Sequence, residues 1–102
     1  MDIYIVNKTK TVNAHGIFNE KEKTVTVCKG SIISEKVSGG SFRSAKSVEK
    51  MRSQKSVKGN EVIEDILFKS ASSAANFVTG SSTNGLIAWK TSDGKKLKDV
   101  IE

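Results

Sequence analysis

Hydrophobic and polar positions alternate along the first part of the chain. In Asp2 to Asn7, Ile3 and Ile5 fall on one side and Tyr4 and Val6 on the other. In Val12 to Asn19, Ala14, Gly16 and Phe18 share a side, and in Lys23 to Lys29, Val25 and Val27 oppose Thr24, Thr26 and Cys28. A period of two residues sends successive side chains to opposite faces, so these stretches predict half-buried antiparallel strands. Asn19-Glu20-Lys21-Glu22 reads as the hairpin loop between the second and third, and Gly30-Ser31 ends the third.

The period then changes. Phe42 to Gln54 follows Gly39-Gly40, lacks glycine, and places Phe42, Ala45, Val48 and Met51 on one stripe, which predicts a helix. Gly59-Asn60 is a turn signal, and a short strand is expected at Asp65 to Lys69. Ser70 is a suitable N-cap for a second helix, whose Ala71, Ala74, Ala75 and Val78 recur at i, i+3, i+4 and i+7, and Gly80 suits a left-handed C-terminal cap. Asn84-Gly85 predicts a positive-φ turn into a strand at Leu86 to Lys90, with Ile87 and Trp89 on one face. Asp93-Gly94 predicts another turn, after which Leu97 and Val100-Ile101 return to the core. The fold expected is α+β: one domain over residues 1–102, with an antiparallel sheet of about four to six strands and two helices packed on it.

The order of these signals resembles a known family. Phe68, the run Ser70-Ala71-Ser72-Ser73-Ala74-Ala75, Gly80, Asn84-Gly85-Leu86, Trp89, Asp93-Gly94 and Leu97 follow the pattern of the domain of unknown function 4357 family. Gly16-Ile17-Phe18 and Val27-Cys28-Lys29-Gly30-Ser31 are similar to its second signature, a strand ending in Lys-Gly-Ser. The chain departs from the family pattern at Ala71, where proline is usual, and at Leu86, where an aromatic residue is usual. The resemblance implies a fold and a setting, at the C-termini of restriction-associated proteins and of proteins with GIY-YIG nuclease-like domains. It implies no mechanism.

Charge changes the picture more than composition does. The formal net charge is +6 with a pI near 9.6, a balance that favours acidic partners, nucleic acid foremost. The excess is local. Between Ser41 and Lys58, Arg43, Lys46, Lys50, Arg52, Lys55 and Lys58 face a single carboxylate, Glu49. A helix with one apolar and one basic face can dock on a sheet and offer cations to phosphates; the plainer reading is a solvated outer face. The nucleic-acid-binding residues expected are Arg43, Lys46, Lys50 and Arg52, joined by Ser82 and Asn84 from the polar loop before Trp89. That loop is equally explained by turn geometry.

No catalytic set stands out. The one His, His15, and the one Cys, Cys28, lie on separate expected strands without a third group to orient them, and they cannot supply a usual zinc site. Glu61, Glu64 and Asp65 could hold a hydrated Mg²⁺ but read equally as solvated charges. Trp89 reads as core rather than as a stacking platform. The glycines match neither a P-loop nor a dinucleotide fingerprint. With one cysteine, no apolar run near the ~20 residues of a membrane span, and a start unlike a signal peptide, the expectation is a cytoplasmic, non-enzymatic, cofactor-free binding module for DNA. The alternative is a protein-interaction domain whose basic helix docks an acidic partner.

Overall fold

A computed structural model of the chain describes residues 1–7, 11–34, 55–81 and 83–101. The N-terminal alternation becomes three neighbouring strands: β1 (Asp2–Val6), β2 (Asn13–Asn19) and β3 (Thr24–Val27). β4 (Val57–Lys58) and β5 (Glu61–Val62) form a small hairpin, and β6 (Ile66–Phe68) joins the main sheet. The main sheet runs β1-β2-β3-β6, antiparallel throughout. Its register puts Ile3 beside Gly16, Ile5 beside Ala14, Phe18 beside Val25, and Val25 beside Phe68. Directly opposite residues share a face, so these rows form one continuous inner surface.

Two tight loops join consecutive strands. Between β2 and β3 the Asn19 side-chain oxygen accepts from the amides of Lys21 and Glu22, each at 3.0 Å, and Lys23 takes a left-handed φ of 60°. Between β4 and β5, Gly59 takes a φ of 63°. Ile32 bridges both Asn13 and Glu61, tying the start of β2 to the small hairpin.

Helix α1 (Ala71–Thr79) covers the inner face. The Ser70 hydroxyl accepts from the Ser73 amide at 3.1 Å, and Gly80 closes the helix at a φ of 72° with its amide on the Asn76 carbonyl. The expected stripe is the buried one: Ala71, Ala74, Ala75, Phe77 and Val78. Phe77 meets Phe68 of β6 with ring centroids 5.0 Å apart. The small alanines let α1 lie close to the sheet.

The strand expected at Leu86 to Lys90 is not there. Instead Gly85–Ala88 is one helical turn, α2. Neither Asn84 nor Gly85 has a positive φ; Asn84 is the N-cap, its side-chain oxygen accepting from Leu86 N at 3.0 Å. The inward period is therefore four, from Gly85 to Trp89, and not two. Ile87, expected beside Trp89, is exposed. The physical cause lies in another element. A methyl on Gly85 would sit 2.2 Å from the Ala71 carbonyl carbon, so the turn packs backbone to backbone on the start of α1.

Trp89 follows α2 and is fully buried, as its reading as core requires. Its indole N–H donates to the Ala71 carbonyl at 3.0 Å. Its ring lies over Gly16, where a Cβ would come within 3.1 Å of it. The chain then forms a tight turn with Gly94 at a φ of 86° and ends in α3 (Leu97–Val100), with Leu97 buried. The helix expected over Phe42 to Gln54 lies outside the described residues.

Candidate nucleic-acid interface

Strand parity leaves a second, outer face, carrying Asp2, Tyr4 and Val6 from β1, Asn13, His15 and Ile17 from β2, and Thr24 and Thr26 from β3. Leu67 of β6 and Ile17 on this face are 66% and 45% exposed. One row across it collects most of the chemistry. Tyr4 pairs with His15 in the β1–β2 register, and the Cys28 amide donates to the His15 carbonyl at 2.8 Å, which sets Cys28 beside His15. On the other side of β1, Tyr4 and Lys90 exchange both backbone hydrogen bonds, at 2.7 and 2.9 Å. Lys90 in turn bridges Lys96. The row therefore reads Cys28, His15, Tyr4, Lys90, Lys96.

Each neighbour in that row is held by main chain. Leu97 N donates to Trp89 O and Thr91 N to Lys95 O, each at 2.9 Å. These two bonds flank Lys90 and Lys96, which makes them a non-hydrogen-bonded antiparallel pair, the kind whose side chains come closest. Both lysines are exposed. Among the described residues the ion pairs are His15 with Asp2, at 2.8 Å, and Lys95 with Asp93, at 3.8 Å. Neither involves Lys90 or Lys96. Two like charges directly opposite repel, and here the buried neighbours Trp89 and Leu97 fix them in place from below. Asp93 is accounted for within its own turn: the Thr91 hydroxyl donates to it and, with lesser help from Lys95, holds its carboxyl below the ordinary carboxylate range.

The aromatic half of the row is equally ordered. The rings of Tyr4 and His15 stack with centroids 5.0 Å apart and planes 11° from parallel. His15 Nε2 is oriented by Asp2. A cavity of about 340 Å³ opens between Tyr4 and Val6 on one side and Ala88, Lys90 and Ser92 on the other. Cys28 closes the row. Partial burial, and then the charges of Asp65 and Asp2, push its thiol above the ordinary value, which keeps it in the unreactive protonated form. The contact given for the thiol itself is to the Thr26 carbonyl, at 3.9 Å, while His15 Nε2 is paired with Asp2.

The sequence-expected site residues fare differently. Arg43, Lys46, Lys50, Arg52 and Ser82 lie outside the described residues. Asn84 is committed to capping α2. Its loop is similarly occupied. Thr83 N donates to the Asn76 side-chain oxygen at 2.9 Å, and Thr79 Oγ1 sits 2.9 Å from Thr83 Oγ1 and donates to Ala75 O. Of the acidic cluster, Asp65 accepts from the Lys29 amide at 2.7 Å and Glu64 from the Ser56 hydroxyl. Among the described residues no group of three His, Cys, Asp or Glu side chains is placed to hold a metal ion, and no helix is long and apolar enough to cross a membrane.

Sequence reasoning missed Lys90 and Lys96. Six residues apart across an Asp-Gly turn, they carried the signal of a hairpin pair, but the turn gave no hint that Tyr4 would be the next neighbour.

The family model described as Domain of unknown function (DUF4357) matches residues 4–101. No curated protein and no solved structure matches the chain.

Proposed function

The chain belongs to the DUF4357 family, and we propose that it is a non-catalytic DNA-binding accessory module of a DNA-processing or restriction-type defence system. The observation that carries this reading is the Lys90–Lys96 pair, two exposed lysines directly opposite one another in the backbone pairing, with no carboxylate partner among the described residues. A phosphate between them relieves their repulsion and accepts from both. The cation-rich segment from Arg43 to Lys58 supports the same reading, since several such cations together give backbone binding that ignores sequence. The setting implied by the family resemblance supports a neighbour that cuts or modifies DNA.

The test is DNA binding across a salt series by the parent, by the Lys90→Gln/Lys96→Gln variant and by the Arg43→Gln/Lys46→Gln/Lys50→Gln variant. Neutralising one phosphate-binding cation should lower the slope of log affinity against log salt by about one unit. Unchanged slopes in both variants, or no salt-dependent binding to duplex or single strand by the parent, would reject the module and leave an acidic protein partner as the better occupant of these cations.

A further inference from the structure

We infer that the outer-face row selects single-stranded nucleic acid, with an unpaired base on Tyr4 and its phosphate on Lys90 and Lys96; this rests on the DNA-binding reading above. The order of the row is the starting point. Cations and ring lie consecutively, as Lys96, Lys90, Tyr4 and His15, each fixed to the next by main-chain pairing. A nucleotide has the same order of parts: a charged phosphate at one end and a flat ring at the other.

Tyr4 has two ring faces, and His15 occupies one of them at a 5.0 Å centroid separation. The cavity of about 340 Å³ that Tyr4 also lines is walled by Ala88, Lys90 and Ser92, on the side away from His15. Its volume is within the range of sites that take small flat ligands. Its lining joins an aromatic residue, Tyr4, to the apolar Val6 and Ala88 and to the hydroxyl-bearing Ser92. Lys90 is one of the lining residues, and Lys96 stands directly opposite it, one strand position further out.

A duplex cannot present that ligand. Its bases are stacked on one another and their faces are closed, so only backbone phosphate would reach Lys90 and Lys96. An unpaired base has a free face and can be stacked on an aromatic side chain whatever its identity. The carboxylate that β1 carries on this face, Asp2, is engaged by His15 at 2.8 Å. Among the described residues neither lysine of the row has a carboxylate partner, while Asp2 is paired with His15.

The experiment is fluorescence anisotropy with one labelled oligonucleotide of about a dozen nucleotides, offered as a single strand, as a duplex, and as a single strand of the same length with abasic sites. The proteins are the parent, Tyr4→Leu, Tyr4→Phe and the Lys90→Gln/Lys96→Gln variant, each checked for folding by Trp89 emission. The parent should bind the base-bearing single strand roughly tenfold more tightly than either other form, the scale of one stacked base. Tyr4→Leu should erase that preference, and Tyr4→Phe should keep it. The lysine variant should weaken all three forms alike. Equal affinity of the parent for all three forms overturns the inference and leaves the backbone-binding module standing. Absence of binding to any form rejects the module reading itself. Should Tyr4→Leu fail to fold, the parent's contrast between base-bearing and abasic strands decides, together with Tyr4→Phe.

Discussion

Gly85→Ala is the sharpest test of how this fold is held together, because two physical effects predict opposite signs. In an ordinary helical turn, replacing glycine by alanine stabilises by roughly 0.4–1 kcal/mol, since glycine has more backbone freedom to lose. At Gly85 the added methyl would stand 2.2 Å from the Ala71 carbonyl carbon, 2.3 Å from its oxygen and 2.4 Å from Ser72 N. All three are backbone atoms that cannot swing aside. To reach ordinary contact distance α2 must move off α1 by about 1 Å, and overpacking of this kind costs typically about 1–3 kcal/mol. The shift also loosens two hydrogen bonds across the seam: Gly85 N to Ser72 Oγ at 3.1 Å, and Trp89 Nε1 to Ala71 O at 3.0 Å. At roughly 0.5–1.5 kcal/mol each, the total destabilisation is about 2–6 kcal/mol before the helix-propensity gain is subtracted. A domain this size is stable by only about 5–15 kcal/mol, and 1 kcal/mol moves its melting temperature by roughly 4–8 °C. With the propensity gain of up to about 1 kcal/mol subtracted, thermal unfolding followed by circular dichroism and by Trp89 emission should show a fall of at least ~4 °C. A melting temperature equal to or above the parent's would mean that α2 does not pack backbone to backbone on α1.

Trp89→Ala empties the centre of the same seam and leaves the Ala71 carbonyl without its donor; large aromatic truncations cost about 3–5 kcal/mol, so chemical denaturation should show an abolished or strongly shifted transition, and a midpoint like the parent's would place the indole outside the core. Cys28 should be slow to alkylate at neutral pH, because burial and nearby carboxylates raise its thiol; iodoacetamide kinetics matching those of a free thiol would contradict this. The sign for stability follows. The unfolded chain loses the thiol proton first as pH rises, so stability is unaffected at neutral pH and declines through the ordinary thiol range. The parent should lose more stability than Cys28→Ala between neutral pH and about pH 10.

The sequence by itself determined the parts of this fold whose pattern is local. The two-residue alternation in Ile3-Ile5, Ala14-Gly16-Phe18 and Val25-Val27 fixed three strands and their inner faces, because strand geometry allows nothing else to bury those residues together. Ser70, Gly80 and the alanine stripe set α1 at both ends and on the correct face. The polar loop after α1 read both as a turn and as a source of contacts through Ser82 and Asn84; Thr83 and Asn84 make local hydrogen bonds, and the turn takes no positive φ at Asn84-Gly85.

Tertiary structure decided what depends on a partner far along the chain. Leu86 to Trp89 is too short for its period to separate a strand from a helical turn; the close approach of Gly85 to Ala71 settled it, and no local signal in the sequence carries that distance. The Lys90–Lys96 pair and the Tyr4–His15 stack are each legible as neighbours only once register is known. Their union into one row required the pairing of Tyr4 with Lys90, residues at opposite ends of the chain. Hydrophobic periodicity tells a residue which face it occupies. Only the packed sheet tells it which residue stands beside it.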